Sequence, residues 1–449
     1  MAAGGKLVPE EEAKRARNPL DRYDEIAARA AEGRSPKGLD VFMIKYQGLF
    51  YVAPAQDSFM VRMRMPGGIL SAAQYRGVAD LSDERGGGYA DITTRANLQV
   101  REIGAASAPE VLWRPPELGL TSRGAGADNV RNVTGSPTAG IDPQELIDSR
   151  PHARAIHRHI LHHRELYGPP RKFNIGFEGG GRVAVLDDTN DIAFTAVALA
   201  GGVSYRLALG GITVHRDLAR GTGVLVLPAE PTAACDAVLR VFIAHGDRTA
   251  RRKARLKYLL DRWGLPRFLD EVETVLGRKL LRVDEAERLP RPAQDKHDHV
   301  GVHPQRHAGR LYVGITCPVG RLTAEQMRVL ADVAQAFGSG TIRLTVWQNL
   351  FLSDIPEERI GEALDVLAGL GLGWEASHLR GGLAACTGNS GCKFAASDTK
   401  GARRPAGGLA GATDRREPAG QHPPRRLPQR LRAAYGRRHR AARRQGGAE

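Results

Sequence analysis

The feature that most constrains the fold is an internal repeat: residues 59–103 match residues 311–355 without a gap, at an offset of 252 positions. About a third of the aligned positions are identical. The identical pairs include Pro66/Pro318, Gly68/Gly320, Gln74/Gln326, Gly86/Gly338, Gly88/Gly340, Thr93/Thr345 and Asn97/Asn349. An ungapped match of this length indicates two copies of one structural unit within the chain.

Each copy predicts a strand, a Gly turn, an amphipathic helix, a second Gly turn and an alternating strand. The last strand of the first copy carries polar side chains at every second position, namely Thr93, Arg95, Asn97, Gln99 and Arg101. Alternate residues of a strand point to the same face, and a face this polar is not a core face. The second copy has Trp347 in place of Arg95, so the two copies have diverged in role.

Length and composition favour a globular protein with two or three domains. The chain has 449 residues, of which 42% are hydrophobic, and this suffices for more than one core. Residues 1–30 lack the apolar stretch of a signal peptide, and no apolar run is long enough to span a bilayer. We therefore expect a cytoplasmic protein that does not associate with a membrane.

The positive charge is concentrated in the tail. The chain has a net charge of +15, but residues 401–449 hold thirteen arginines, no lysine and three acidic residues. The body before them is only mildly basic and has no basic stripe interleaved with aromatic residues. The charge distribution therefore argues against nucleic acid as a partner.

Three separate segments of the body carry cations near predicted strand ends or loops: Arg95 with Arg101, Arg131, and Arg171 with Lys172. A small oxyanion or an anionic cofactor needs several positive groups from different elements, because one surface cation is too well solvated to hold it. Taken singly, each of these residues can also be a solvated surface charge. The pattern therefore needs independent support.

Two other segments suggest a site but have a simpler interpretation. The His-rich segment 152–168 places His159 and His163 one helical turn apart. It lacks the H-E-x-x-H spacing and an acidic partner, which favours a basic amphipathic helix over a metal site. The Gly-rich segment 176–182, GFEGGGR, lacks the Lys-Ser/Thr of a phosphate loop and predicts a hairpin turn.

The four cysteines are too few and too unevenly spaced for a disulfide framework in a cytoplasmic chain. Cys235 and Cys317 lie in apolar runs, and we expect both in the core. Cys386 and Cys392 lie close together in the loop CTGNSGC, which favours metal or redox chemistry over two free thiols. Iron–sulfur and zinc sites usually take four protein ligands, so this pair supplies half of a site.

With the repeat and the basic segments, the cysteine pair completes a resemblance to the nitrite and sulfite reductases that contain siroheme and a 4Fe–4S cluster. The resemblance runs from about residue 18 to residue 400. It rests on the stretches NPLDRYDE, YQGLFYVAPAQDSFMVRMRMPGG, TTRANLQ, RNVTGSPTAGIDP, RKFNI, ARLKYLLD, RLTVWQNL and CTGNSGCKFA, the last followed by TK. Several of these stretches are specific in combination.

The resemblance implies an α+β fold. In it a pseudo-twofold pair of duplicated ferredoxin-like half-domains is interleaved with α/β domains that bind siroheme and the cluster, the last of them truncated. The implied parts are an N-terminal extension (1–54), a first ferredoxin-like half-domain (55–110), a siroheme-binding α/β domain (111–293), a linker (294–306), a second ferredoxin-like half-domain (307–375), the start of the cluster- and siroheme-binding domain (376–400) and an aberrant, disordered basic tail (401–449).

The resemblance also implies roles for individual residues. The family's anion-binding residues fall on Arg95, Arg131, Lys172 and Asn174, where they would offset the charge of the bound oxyanion and donate hydrogen bonds and protons to it. The residues implied to bind siroheme are Asn97, Gln99, Arg101, Thr134, Arg251 and Arg255. Cys386 and Cys392 would be two of the four cluster ligands.

The implied activity is that of a ferredoxin-dependent assimilatory nitrite reductase, which reduces nitrite to ammonia with six electrons that arrive singly. Sulfite-reducing members have a second lysine where this chain has Asn174. A dianion gains more from that cation than nitrite does, so Asn174 favours nitrite. Reduced ferredoxin is the expected donor, because the chain has no dinucleotide-binding fingerprint. We expect a monomer; the alternatives are a ferredoxin-dependent sulfite reductase and a non-catalytic remnant.

The family completes its cluster with a second cysteine pair in a G-C-P-N-x-C motif, but no cysteine follows Cys392. If the reading frame is shifted by one base, the codons for Gly420–Glu449 permit a sequence that contains GCPNAC. Its cysteine codons would straddle Leu427/Pro428 and Leu431/Arg432. We therefore expect the tail to be a frameshift product, which would leave this chain without two cluster ligands and its activity doubtful. The simpler alternative is a genuine basic, disordered tail.

Overall fold

A computed structural model describes residues 5–52, 57–212, 217–284, 287–292, 299–375, 383–392 and 395–400. The tail 401–449, with its predicted frameshift and disorder, lies outside these residues. The helices are α1 (Pro9–Ala16), α2 (Tyr23–Ala31), α3 (Asp40–Met43), α4 (Ala72–Arg85), α5 (Glu110–Glu117), α6 (Arg150–His162), α7 (Pro231–His245), α8 (Leu256–Trp263), α9 (Leu265–Leu276), α10 (Ala324–Phe337) and α11 (Ile360–Gly369). In this part of the chain, no helix has both the length and the apolar character needed to cross a membrane.

The strands of the described residues form three five-stranded sheets. They are β1 (Leu49–Val52), β2 (Ser58–Arg62), β3 (Ile69–Ser71), β4 (Tyr89–Ile92), β5 (Leu98–Ile103), β6 (Ile175–Glu178), β7 (Ile192–Leu199), β8 (Gly202–Leu209), β9 (Arg220–Val226), β10 (Leu281–Arg282), β11 (Gly301–Pro304), β12 (Arg310–Ile315), β13 (Arg321–Thr323), β14 (Thr341–Leu344) and β15 (Leu350–Pro356). β11 lies within the predicted linker.

The two copies of the repeat fold alike. At the 252-residue offset, β3, α4 and β4 have the same bounds as β13, α10 and β14. Ser71 and Thr323 precede the two helices, and each forms a reciprocal capping box with the glutamine three residues later. These boxes satisfy backbone N–H groups that the start of a helix leaves free. The predicted α+β fold with duplicated half-domains is confirmed.

Each copy gives one short strand to the sheet of the other. The sheet of the first copy has the order β1-β2-β5-β4-β13, and the sheet of the second has β11-β12-β15-β14-β3. Arg321 of β13 lies opposite Asp91 of β4, and Ile69 of β3 lies opposite Arg343 of β14. α4 packs on α10, and one hydrophobic core serves both copies. The two half-domains therefore form one body.

The segment between the copies builds a third sheet with its own core. Its order is β10-β9-β8-β7-β6, and β6 pairs with β7 in parallel. Phe177, Phe194 and Tyr205 pack ring to ring in this core, against apolar side chains of α6, α7 and α9. The hairpin turn predicted for 176–182 is wrong, because a tight hairpin joins antiparallel strands, whereas these two strands run parallel.

The alternating strand predicted over residues 93–101 begins later than expected. The Thr93 N–H donates to Asn97 O at 3.0 Å and the Ala96 N–H donates to Thr93 O at 3.0 Å, so these residues form a turn. Ala96 has a φ of 48°, in the left-handed region. β5 starts only at Leu98. Residues 99 and 101 share a strand face, whereas the turn sets the directions of residues 95 and 97.

Candidate functional site

Three of the predicted anion-binding residues lie on two segments that run side by side. A parallel bridge joins Val130 to Phe173, and the Arg131 N–H donates to Phe173 O at 2.8 Å. Lys172 and Asn174 flank that phenylalanine, so they are held close to Arg131 by backbone pairing. This pairing joins segments far apart in sequence, which the sequence could not reveal.

Arg95 reaches the same segments, but its guanidinium is already occupied. Its Nε and Nη2 donate to Asn132 O at 3.1 and 2.6 Å, and Nη2 also donates to Ile175 O at 3.0 Å. Its Nη1 donates to Asn190 Oδ1 at 2.7 Å. Arg95 thus ties the turn before β5 to the walls of the site. Its direct contact with an anion stays a prediction.

Arg62, at the end of β2, is a cation at this site that sequence reasoning missed. Its Nε is buried without a hydrogen-bond partner, and its guanidinium stacks 4.5 Å from the centroid of the Phe50 ring. Burial, together with the nearby charges of Arg131 and Arg101, lowers the pKa of Arg62 to about 9. The available signal was an arginine within the otherwise apolar strand FMVRM.

Among the described residues, Arg131 and Lys172 are two more cations without an ion pair, although the nearby charges of Asp128 and Asp191 partly oppose the lowering of their pKa values. Burial lowers the pKa of Arg131 to about 10, and its Nε is buried without a partner. Burial, with repulsion from Arg255 and Arg131, lowers the pKa of Lys172 to about 8. Within the described ranges, Arg62, Arg131 and Lys172 form no ion pair with a carboxylate. Arg131 is the common neighbour of the other two, because its charge lowers the pKa of both Arg62 and Lys172.

Asp191 orients both Asn174 and Arg255. This fully buried carboxylate accepts from the Asn174 backbone N–H at 2.8 Å and from Arg255 Nε and Nη2 at 3.1 and 2.7 Å. The side-chain amide of Asn174 is half-buried and forms no hydrogen bond with the described residues. That amide is therefore free to contact a small molecule.

Two further buried carboxylates hold the other predicted cofactor-binding cations. Asp128 accepts from Arg251 Nη1 and Nη2 at 2.8 and 3.1 Å. Asp91 accepts from Arg101 Nε at 2.8 Å, from Arg321 Nε at 2.9 Å and from Lys400 Nζ at 3.0 Å. Asp91 is one carboxylate among three cations, so positive charge remains in excess beside it.

The uncharged cofactor-binding candidates have their polar groups engaged inside the protein. Asn97 Nδ2 donates to Met63 O at 2.7 Å, Gln99 Oε1 accepts from Arg101 Nη2 at 2.8 Å, and the buried Thr134 hydroxyl donates to Ile175 O at 3.3 Å. In the second copy, Asn349 Oδ1 likewise accepts from the Cys317 N–H at 2.9 Å. The turns are equivalent in their backbone bonds, because Asn97 O and Asn349 O accept from the N–H groups of Thr93 and Thr345 at 3.0 and 2.9 Å. The cofactor roles of the first-copy residues stay predictions.

The cysteines fall into two classes. Cys235 and Cys317 are buried in the two cores, as expected, and burial raises the pKa of both thiols. Cys386 is exposed and Cys392 is partly exposed. Cys386 Sγ lies 3.5 Å from Thr399 Oγ1. Only this pair is placed to serve as thiolate ligands.

The His-rich helix α6 buries Ala153, Ile156 and Ile160 on one face. His159 Nε2 lies 2.8 Å from Asp236 Oδ1, an acidic partner from α7 that the local sequence did not show. Among the residues that the structure describes, no group of three His, Cys, Asp or Glu side chains is placed to hold a metal ion. The buried apolar face confirms the amphipathic helix predicted for this segment.

Comparison with known proteins covers most of the chain. Residues 52–115 and 303–370 match the nitrite/sulfite reductase ferredoxin-like half domain, and residues 126–280 match the nitrite and sulphite reductase 4Fe-4S domain. The chain is 37% identical over 366 residues to a ferredoxin–nitrite reductase of Synechococcus elongatus, which covers 80% of this chain and 70% of that protein. It is 33% identical over 395 residues to the chloroplastic ferredoxin–nitrite reductase of Zea mays, covering 86% and 68%.

A solved structure supports the same assignment. The NirA protein of Mycobacterium tuberculosis matches with a TM-score of 0.83 at 30% identity, over 90% of this chain and 77% of that one. The match spans both copies of the repeat and the sheet between them. By sequence and by fold, the chain belongs to the nitrite and sulfite reductase family.

Proposed function

We propose that this chain is the polypeptide of a ferredoxin-dependent assimilatory nitrite reductase, which reduces nitrite to ammonia with six electrons. The observation that carries the proposal is the group of three half-buried cations, Arg62, Arg131 and Lys172, without a carboxylate partner among the described residues. Buried cations are costly unless an opposite charge compensates them. A small anion is the compensation that this arrangement supports.

The chain's own groups would bind and protonate that anion. The unpartnered Nε atoms of Arg62 and Arg131 donate charge-assisted hydrogen bonds to its oxygens. Lys172, with a pKa lowered to about 8, holds a proton at Nζ near neutral pH and can give it to an oxygen as its bond to nitrogen breaks. Arg95 keeps the two walls in register through its carbonyl contacts.

Members of this family bind siroheme and a 4Fe–4S cluster. Siroheme is a polyanion because its ring carries carboxylates, and the excess of cations around Asp91 fits such a group. The residues proposed to hold it are Arg101, Arg251, Arg255, Asn97, Gln99 and Thr134. When bound, siroheme would supply an iron centre that passes electrons singly to the substrate.

The cysteines of this chain do not complete a 4Fe–4S site. Such a cluster takes four thiolates, whereas only Cys386 and Cys392 are accessible and the other two cysteines lie in separate cores. We propose that the missing pair is encoded one base out of frame within the codons for residues 401–449. Resequencing those codons tests this, and an unchanged reading frame without a G-C-P-N-x-C motif would overturn it.

Asn174 supports nitrite over sulfite as the substrate. Its free side-chain amide offers a neutral hydrogen bond beside Lys172, where the sulfite-reducing members place a second lysine. A dianion needs that second cation more than a monoanion does. Sulfite remains the second candidate, because the site still contains three cations.

The experiment is steady-state kinetics of the chain with the cysteine pair restored, using reduced ferredoxin as donor and nitrite or sulfite as acceptor. We expect a higher kcat/KM for nitrite. The chain without the second cysteine pair should bind siroheme, which is detected by its visible absorption bands, but should reduce neither anion. A restored chain that prefers sulfite would overturn the substrate, and one that binds siroheme without turnover would support the non-catalytic alternative. The donor, a cytoplasmic location and a monomeric state belong to the same proposal.

A further inference from the structure

The loop that carries the cysteines is fastened at its start to Gln348, which also bonds Ile92 of β4, and at its end to Asp91 of β4. The name "cysteine loop" is used for residues 385–400, described here over 385–392 and 395–400. At its start, Gln348 Oε1 accepts from the Ala385 N–H at 2.7 Å, and Gln348 Nε2 donates to Ala385 O and to Ile92 O, both at 3.1 Å. At its end, Lys400 Nζ donates to the Asp91 carboxylate at 3.0 Å.

Lys400 is buried to an unusual degree for a lysine. It is 5% exposed, and its Nζ also donates to Val319 O at 2.8 Å. Burial lowers its pKa, although the charge of Asp91 opposes the shift. Asp91 already accepts from Arg101 and Arg321, so the sheet does not need a third cation to satisfy this carboxylate. The contact therefore serves to hold Lys400, and with it the end of the loop, against the sheet.

Each repeat copy supplies one anchor, Asp91 from the first copy and Gln348 from the second. At the position of Gln348, the first copy has Ala96, in the same left-handed backbone conformation, with φ values of 62° and 48°. Alanine has no side chain that could reach across. At the position of Asp91, the second copy has Arg343, which donates to Pro137 O and Ala139 O at 2.9 and 2.8 Å instead. Neither anchor therefore has a counterpart at the matching position of the other copy.

Between the anchors, the loop packs on Arg101. A Cβ atom added at Gly391 would lie 2.8 Å from Arg101 Nη1, so the residue next to Cys392 is in close contact with that guanidinium. Inside the loop, the Asn389 N–H donates to Ser397 O at 2.9 Å and the Thr399 hydroxyl donates to Cys386 O at 2.7 Å. The described parts of the loop therefore form one bonded unit.

We infer that Lys400 and Gln348 are positioning residues that hold Cys386 and Cys392 in a fixed place over the half-domain core. They act through the loop and touch no substrate. The inference does not depend on the proposed reaction, because the position and protection of the loop can be measured without turnover.

The test is hydrogen exchange by mass spectrometry on the full chain and its Lys400→Met variant. Loss of the buried charge-assisted hydrogen bond should speed exchange in peptides covering 385–392 by roughly tenfold or more. Iodoacetamide should also alkylate the half-buried Cys392 faster in Lys400→Met than in the wild type. Exchange in α10 and the protection of the buried Cys317 should stay unchanged.

Three further variants distinguish a loss of loop positioning from a general destabilisation of the fold. Lys279→Met removes an exposed lysine that also pairs with a carboxylate, Glu273 at 2.8 Å, and should leave the loop as in the wild type. Lys400→Arg keeps the cation and should restore most of the protection. Gln348→Ala should loosen the start of the loop. Unchanged exchange in Lys400→Met, or an equal rise in the loop and in α10, would overturn the inference.

Discussion

Arg62 and Arg95 have opposite hydrogen-bonding states, so replacing each with methionine should separate anion binding from stability. Arg95→Met removes the donors that Asn132 O and Asn190 Oδ1 use; Ile175 O keeps the Thr134 N–H. Two buried acceptors left unsatisfied cost about 1–3 kcal/mol each. We therefore expect the free energy of unfolding to fall by about 2–6 kcal/mol.

Arg62→Met should have the reverse profile. It removes a buried Nε that has no partner and a charge that burial penalises, so the free energy of unfolding should stay within about 1 kcal/mol of the wild type or rise. The bound anion loses a charge-assisted hydrogen bond of about 1.5–3 kcal/mol, which weakens nitrite binding by roughly ten- to a hundredfold.

Two measurements check the pair. Urea unfolding of the cofactor-free protein, followed by circular dichroism, gives the free energy of unfolding. Optical titration of the siroheme-loaded, cysteine-restored protein with nitrite gives the dissociation constant. Arg34→Met serves as a control, because that side chain is 69% exposed. If Arg62→Met destabilises the protein as much as Arg95→Met and leaves nitrite affinity intact, our assignment of the two arginines is wrong.

Three more predictions follow from named contacts. Asn174→Lys should shift the ratio of kcat/KM for sulfite over nitrite towards sulfite by about 1–3 kcal/mol, and an unchanged ratio in steady-state kinetics would contradict the role of Asn174. The pKa of Lys172 is lowered from 10.5 to about 8, so between these pH values the unfolded chain binds more protons than the folded chain. The free energy of unfolding of the wild type, relative to that of Lys172→Met, should therefore rise from pH 8 to pH 10.5. A constant difference in urea unfolding across that range would refute the lowered pKa. Ser71→Ala and Thr323→Ala each remove one half of a capping box and should each cost about 1 kcal/mol, whereas a loss confined to one copy would show that the two caps are not equivalent.

The repeated elements could be predicted from the sequence because the residues that begin and end them are local signals. Glycines, capping residues and apolar spacing occur in both copies at one offset, and each acts within a few residues of its own position. The exchanged strands could not be predicted, because β3 and β13 are three residues long and pair with partners far along the chain. The parallel pairing of β6 with β7 could not be predicted either, because the Gly-rich segment after β6 is also compatible with a tight hairpin turn.

The sequence indicated several of the candidate site residues, whereas it did not indicate the buried acids or Arg62. Arg131, Lys172 and Asn174 lie on segments that backbone pairing joins, and their shared role stays a prediction. Asp91 and Asp191 are isolated acids in sequence, and only their burial among cations reveals that they orient the site. Arg62 lies in the apolar strand FMVRM, but only its burial without a partner for Nε distinguishes it from a solvated arginine.

The strand exchange makes the two half-domains inseparable in folding. Neither five-stranded sheet can be completed until β3 and β13 have crossed to the opposite copy, so a nascent chain that ends before residue 321 holds an unfinished first sheet with an exposed edge. Long-range pairing of this kind slows folding because loop closure precedes the stabilising contacts. The halves should therefore melt together in a single cooperative transition, and two fragments divided between the copies would each need the other to bury its edge.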